Sequence, residues 1–265
     1  MTVLGARTGT AVLSGPRGDL ELAWGVATDI GLRREANEDS ALAQPPLFAV
    51  ADGMGGHAAG DRASHAVVTR LAEAADASGP ELAGEPAVET ALAALDRAAA
   101  DIDALGAELP LGAGTTVAAL VLALDEDGAP VGELLNIGDS RVYRFARNEL
   151  RQATVDHSVV QELVDAGLLD PALAEDHPEA NVITRALGFH EPPAPDRIRL
   201  ALETGMRLLL CSDGLTREVG AERIRLHLAA GLAPASTAAA LVDAALAAGG
   251  RDNVTVLVVD IVHAP

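Results

Sequence analysis

Three times along this chain an apolar run gives way to an aspartate beside a glycine. Residues 47–51 stop at Asp52-Gly53, residues 131–137 at Gly138-Asp139, and residues 207–211 lead through Ser212 into Asp213-Gly214. Two further acidic points belong to the same pattern. Asp252-Asn253 precedes the last apolar run, and Asn37-Glu38-Asp39 reads as a turn. Any one Asp-Gly pair is an ordinary turn, because Asp bonds its own backbone and Gly accepts positive φ. The set is more demanding. Strands whose ends meet at one edge would gather five carboxylates in a small volume, where like charges repel and shift one another's protonation. Hard divalent cations relieve that repulsion by taking carboxylate, carbonyl and water oxygens. No His/Cys set stands at zinc spacing, so the donors point to Mg²⁺ or Mn²⁺. Spacing alone does not name a reaction.

Composition narrows the alternatives. With 49% apolar and 22% charged residues in 265, the chain has globular rather than disordered character. Aromatics make up 2%, so the core is built from Val, Leu, Ile and Ala. The net charge is −20, and all 19 basic residues are Arg. A nucleic-acid binder needs a basic face, which this chain lacks. A single cysteine, Cys211, excludes an internal disulfide and any thiolate cluster. Lying in an apolar run, it reads as inert core. No apolar stretch of about 18 residues marks a membrane span, and the first residues carry no signal-peptide pattern. A cytoplasmic location follows as the expectation.

Residues 1–19 read as a loose leader, disordered at the extreme, and residues 20–262 as one domain. Strands are expected at 20–27, 47–51, 115–124, 131–137, 141–145, 207–211 and 253–261. Helices are expected at 61–77, 85–105, 158–166, 220–230 and 234–248. Residues 167–196, rich in Pro, Asp and Glu, read as an irregular excursion. Strands come in groups between paired helices, which favours a layered α+β fold over strict βαβ alternation.

The order of the motifs adds more. Gly31-Leu32-Arg33-Arg34-Glu35-Ala36-Asn37-Glu38-Asp39-Ser40 comes first, then Val50-Ala51-Asp52-Gly53-Met54-Gly55-Gly56-His57. Gly114-Thr115-Thr116 and Asn136-Ile137-Gly138-Asp139-Ser140-Arg141-Val142-Tyr143 follow. Cys211-Ser212-Asp213-Gly214-Leu215 and Asp252-Asn253-Val254-Thr255 complete the series. In this order and at these separations, over residues 22 to 260, the chain resembles the metal-dependent protein phosphatases, the type 2C serine/threonine family, in its bacterial form.

The resemblance implies a four-layer α-β-β-α sandwich, two antiparallel sheets flanked by helix pairs, with two metal ions at one end. It implies that Asp52 bridges both ions, that the Gly53 carbonyl binds the first, and that Asp213 and Asp252 bind the second. Asp39, joined by Glu38, reaches the first through water. Asp139 resembles the ligand of a third, weaker ion, with Asp176 as the candidate partner from the excursion. Arg34 stands at the family's phosphate-binding position and is preferred to Arg33. A hydroxide shared by the two cations would attack the phosphorus of phosphoserine or phosphothreonine directly. Eukaryotic members place a His right after Asp-Gly, whereas this chain has Met54, which leaves His57 or a metal-bound water as the general acid.

Residues 157–196 match the family's flap beside the metal site, where His157 and His177 read by default as loop-surface histidines. Gly114-Thr115-Thr116 lacks the P-loop pattern and reads as close packing behind the site. The implied partners are phosphorylated proteins and the serine/threonine kinases that make them, with no nucleic acid and no membrane, and a monomer is expected. A phosphoprotein-binding pseudophosphatase without turnover is the alternative.

Overall fold

The computed structural model describes residues 1–55, 59–79, 81–106, 112–175, 177–188 and 193–265. Its strands in chain order are β1 (Thr2–Gly5), β2 (Thr8–Gly15), β3 (Gly18–Asp29), β4 (Asp39–Gln44), β5 (Leu47–Met54), β6 (Gly114–Thr115) and β7 (Val117–Leu124). Then come β8 (Pro130–Ile137), β9 (Arg141–Ala146), β10 (Glu149–Gln152), β11 (Asp196–Ala201), β12 (Arg207–Cys211) and β13 (Val254–His263). The helices are α1 (Ala59–Ser78), α2 (Glu85–Gly106), α3 (Val159–Asp165), α4 (Asp213–Thr216), α5 (Ala221–Ala229) and α6 (Pro234–Ala248).

One sheet runs β1-β4-β5-β7-β8-β11, with β6 on β5, and the other runs β10-β9-β12-β13-β3-β2. Side chains alternate faces along a strand, and here both faces are covered. On β5, Leu47, Ala49 and Ala51 pack under α1 and α2, whereas Phe48 and Val50 face the second sheet. On β12, Leu209 and Cys211 face the α5–α6 side, whereas Leu208 and Leu210 face the first sheet. Three apolar layers thus separate four structural layers, and the central strands read as unbroken apolar runs because neither face meets water. With few aromatics, the inter-sheet layer is anchored on Trp24 and Phe48, edge to face with ring centres 5.6 Å apart. The expected α-β-β-α sandwich is the observed one, except that β1 pairs parallel with β4.

The expected loose leader is not what forms. Residues 2–5 extend the first sheet, and residues 8–15 pair in full with β3 through the turn at Pro16 and Arg17. Trp24 Nε1 donates to the Ala6 carbonyl at 2.8 Å, tying this segment to the core. Its Gly- and Thr-rich composition hid the strands, because edge strands exposed on one side carry a weak apolar signal. Among the described residues no helix is long and apolar enough to cross a membrane.

Candidate metal centre

The inter-sheet layer is apolar along most of its length and turns polar at one end. Alternation places this change. Val50 and Phe48 share a strand face, and two residues on is Asp52; Ala43 and Ala41 lead likewise to Asp39. The β4–β5 register sets Asp39 directly opposite Asp52. The same extrapolation from Leu208 and Leu210 gives Ser212, and from Leu257 gives Thr255. Ser212 Oγ donates to Asp39 Oδ2 at 2.9 Å and accepts from the Thr255 N–H at 2.9 Å. The polar end is therefore built by the strand parity that builds the core.

The loops complete it. Asp139 follows β8, Asp213 opens α4, and Asp252 precedes β13. Gly214 is required where it stands, because a Cβ there would strike the Asn253 carbonyl, so the Asp213 and Asp252 loops touch. Gly138 adopts φ +94° against Thr116, turning the chain so that Asp139 faces inward. A cavity of about 260 Å³ results, lined by Asp52, Asp139, Asp213 and Asp252 with Arg34 and Glu38 at its edge.

The electrostatics follow from the crowding. Burial pushes the Asp39 carboxyl up to about 7, and the charges of Asp213 and Asp252 add to it. Burial and then Asp213 push Asp139 up to about 7, against the pull of Arg217. Asp52 is held well above the usual carboxylate range by burial and by Asp39, Asp213, Asp139 and Asp252 together. Burial also raises Asp213, although Arg217 opposes it.

Arginine forks bridge these groups. Arg34 Nη2 lies 2.7 Å from Asp252 Oδ2, and Arg217 Nη2 lies 2.6 Å from Asp213 Oδ2. Among the described residues, no three acidic or imidazole groups stand in a ready-made cage for a cation. The donor set nevertheless fits one. It is all oxygen, and of the three buried side-chain atoms without a hydrogen-bond partner among the described residues, Asp39 Oδ1 and Asp213 Oδ1 are two. Buried lone pairs left unmatched are costly, and an oxygen-seeking divalent ion matches them.

Backbone clamps fix the cluster. The Asp52 N–H donates to Thr116 Oγ1 at 3.0 Å, and the Asp52 carbonyl accepts from the Thr116 N–H at 2.9 Å and from Thr115 Oγ1 at 3.0 Å. Gly114-Thr115-Thr116 thus does pack behind the site, as a clamp on Asp52. Asn253 straps the loop that carries Arg34 and Glu38: Nδ2 donates to the Ile30 and Ala36 carbonyls at 2.9 Å, and Oδ1 accepts from the Glu38 N–H at 2.8 Å.

Of the residues singled out from sequence, Arg34, Glu38, Asp52, Gly53, Asp139, Asp213 and Asp252 line the cavity. Asp39 lies directly behind it, and Arg33 is exposed and outside the lining. His57 and Asp176 fall outside the described residues.

His157 differs from its expected surface role, being buried. Its Nδ1 accepts from the Gly138 N–H at 3.1 Å, and its Nε2 lies 3.1 Å from Asp196 Oδ2. The ring therefore locks the turn that presents Asp139. Cys211 is fully buried, and burial raises its thiol to about 12, in keeping with inert core.

Arg217 and Asn181 were not anticipated. Arg217 stands four residues after Asp213, a spacing that puts two helical side chains on one face. Asn181 brings the 157–196 segment to the cavity; in sequence it had no signal beyond its place in that segment.

Comparison with known proteins finds relatives along most of the chain. The sequence pattern of the family described as Protein phosphatase 2C matches residues 34–248. The chain is 42% identical over 251 residues to the serine/threonine protein phosphatase PstP of Mycobacterium tuberculosis, covering 92% of this chain and 46% of PstP. It thus spans about half the length of that relative. It is 36% identical over 241 residues to the serine/threonine phosphatase stp of Listeria monocytogenes, covering 88% of this chain and 93% of that one. Among solved structures, the PstP catalytic domain in complex with two manganese ions superposes with a TM-score of 0.79 at 40% identity, covering 91% of this chain and 99% of that one.

Proposed function

The chain belongs to the protein phosphatase 2C family, and we propose that it removes phosphate from phosphoserine and phosphothreonine in proteins, using divalent cations, Mn²⁺ or Mg²⁺. The observation that carries this reading is the convergence of Asp52, Asp139, Asp213 and Asp252 on one oxygen-lined cavity beside Arg34. Asp52 would be shared by two core cations, with the Gly53 carbonyl on the first and Asp213 and Asp252 on the second. Asp39 and Glu38 would act on the first through water, and Asp139 would serve a third. Bound there, such cations supply Lewis-acid polarisation of the phosphoryl group and an easily deprotonated water for direct attack on phosphorus.

The protein's own groups do the rest. Arg34 presents a planar fork to two phosphoryl oxygens, and its side chain, 51% exposed, has room to turn from Asp252 to substrate. Thr115, Thr116, Ser212 and Asn253 hold the carboxylates in place, so catalysis is positioning plus electrostatics. With every core carboxylate present, turnover is favoured over phosphoprotein binding alone. The substrates would be products of serine/threonine kinases, met in the cytoplasm by a monomer.

Hydrolysis of a phosphothreonine peptide tests this. Activity is expected with Mn²⁺ or Mg²⁺, lost in EDTA, and nearly abolished in Asp213→Asn. Full activity in EDTA would overturn the reading.

A further inference from the structure

Arg217 places a fixed positive charge inside the carboxylate cluster. Its Nη2 lies 2.6 Å from Asp213 Oδ2 and 3.6 Å from Asp139 Oδ2, and its Nη1 lies 3.9 Å from Asp252 Oδ2. One fork thus addresses three of the five carboxylates. With Asp139, Asn181, Asp213 and Asp252, Arg217 lines both the 260 Å³ cavity and an adjoining groove of about 370 Å³.

Its backbone is held in place. The Arg217 N–H donates to the Asp213 carbonyl at 2.9 Å, and its own carbonyl accepts from Arg251 Nη2 at 3.2 Å. The side chain is one-third exposed, so it has room to move away from Asp213.

We propose that Arg217 is a built-in competitor for divalent cations at the Asp213 side of the site. This rests on the metal-dependent reading above. A cation at Asp213 competes with the fork for one carboxylate: Oδ2 already accepts from Arg217 at 2.6 Å, and a cation on the open Oδ1 sits beside a full positive charge, so the ion pair must weaken or break as the cation binds. That loss is subtracted from cation affinity, and Arg217 sets how much Mn²⁺ the protein needs. Before binding, the same fork lowers the repulsion among carboxylates that have little water to screen them.

Arg251 is the internal control. It lines the same groove, but its Nε is spent on Glu218 Oε1 at 2.8 Å. Removing it takes away one nearby positive charge and one hydrogen bond to the Arg217 carbonyl, while the Arg217 N–H stays on the Asp213 carbonyl and no cluster carboxylate is freed.

The experiment titrates Mn²⁺ calorimetrically into EDTA-stripped, dialysed full chain at 0.15 M NaCl, for wild type, Arg217→Gln, Arg217→Lys and Arg251→Gln. The melting temperature of each stripped form is measured alongside. In Arg217→Gln the weaker Mn²⁺ site should tighten about tenfold or more, and the stripped protein should melt below wild type. Arg217→Lys, which keeps charge without the fork, should fall between the two and serves if the Gln variant does not fold. Arg251→Gln should change affinity less than twofold. An Arg217→Gln affinity within twofold of wild type overturns the proposal, as does an equal gain in Arg251→Gln, which would mean long-range charge alone. Absence of Mn²⁺ binding by wild type removes the metal-dependent reading too, a different result from binding that Arg217 does not affect.

Discussion

Replacing Asp39 by Asn should stabilise the protein without metal and weaken it with metal. Asp39 is fully buried, opposite Asp52, with one oxygen held by Ser212 and the other without a partner. Burial lifts its carboxyl from 3.8 to about 7. A raised folded-state value means that the protonated form is preferred on folding. The associated stability is complete below pH 4 and is lost as pH rises to about 7. About three units at ~1.4 kcal/mol each is about 4 kcal/mol at pH 8. Protons shared with Asp52 and Asp213 let a single substitution recover part of this.

Asn keeps a carbonyl oxygen for Ser212 and removes the charge. In EDTA at pH 8, Asp39→Asn should therefore melt several degrees higher, at ~2–4 °C per kcal/mol for a chain of this size. At pH 5 the difference should shrink. Saturating Mn²⁺ should raise the melting temperature of wild type more than that of the variant, because a ligand stabilises in proportion to its affinity. Thermal denaturation at pH 5, 6, 7 and 8, with and without Mn²⁺, reads all three effects. A variant less stable than wild type at pH 8 in EDTA, or a difference that ignores pH, would refute the reasoning.

Arg34→Ala should raise KM for a phosphothreonine peptide about tenfold and, because Arg34 also pairs with Asp252 at 2.7 Å, should tighten Mn²⁺ binding rather than weaken it; steady-state kinetics and calorimetry separate the two. Arg207, on β12, donates Nε and Nη2 to Asp260 at 2.6 and 2.8 Å, and its remaining N–H groups reach Thr237 and the Leu228 and Leu232 carbonyls. Arg207→Ala strands Asp260 and should cost about 3–5 kcal/mol in urea denaturation, with kcat of the surviving folded enzyme unchanged. Phe48→Ala, emptying the largest fully buried side chain of the inter-sheet layer, should cost about 3–5 kcal/mol and broaden aromatic near-UV signals.

The sequence displayed most of the layers because β5, β7, β12 and β13 are largely apolar on both faces, a pattern that survives any register. β11 also carried a period-2 signal, with Ile198 and Leu200 inward and Arg197 and Arg199 outward, but it begins where the Pro- and acid-rich excursion ends. β4 was obscured by Asp39, which reads as a turn residue and is in fact the first, buried position of a strand. The carboxylates were legible as a set because Asp52, Asp139, Asp213 and Asp252 each stand beside a Gly or Asn near a strand end, and Asp39 closes an Asn-Glu-Asp run. Their supports were not. Ser212 and Asn253 lie in motif segments, but their bonds to Asp39 and to the loop at residues 30–38 span more than 170 residues. His157 shows the same limit. A histidine in a loop gives no hint that its ring will reach back to Gly138.

The most direct measurement is anomalous diffraction from crystals of the protein soaked in Mn²⁺. At least two peaks are expected within ligating distance of Asp52, Asp213 and Asp252, with Arg217 farther from Asp213 Oδ2 than 2.6 Å. A fully soaked crystal with no peak in that cavity, its carboxylates still bridged by Arg34 and Arg217, would contradict the account.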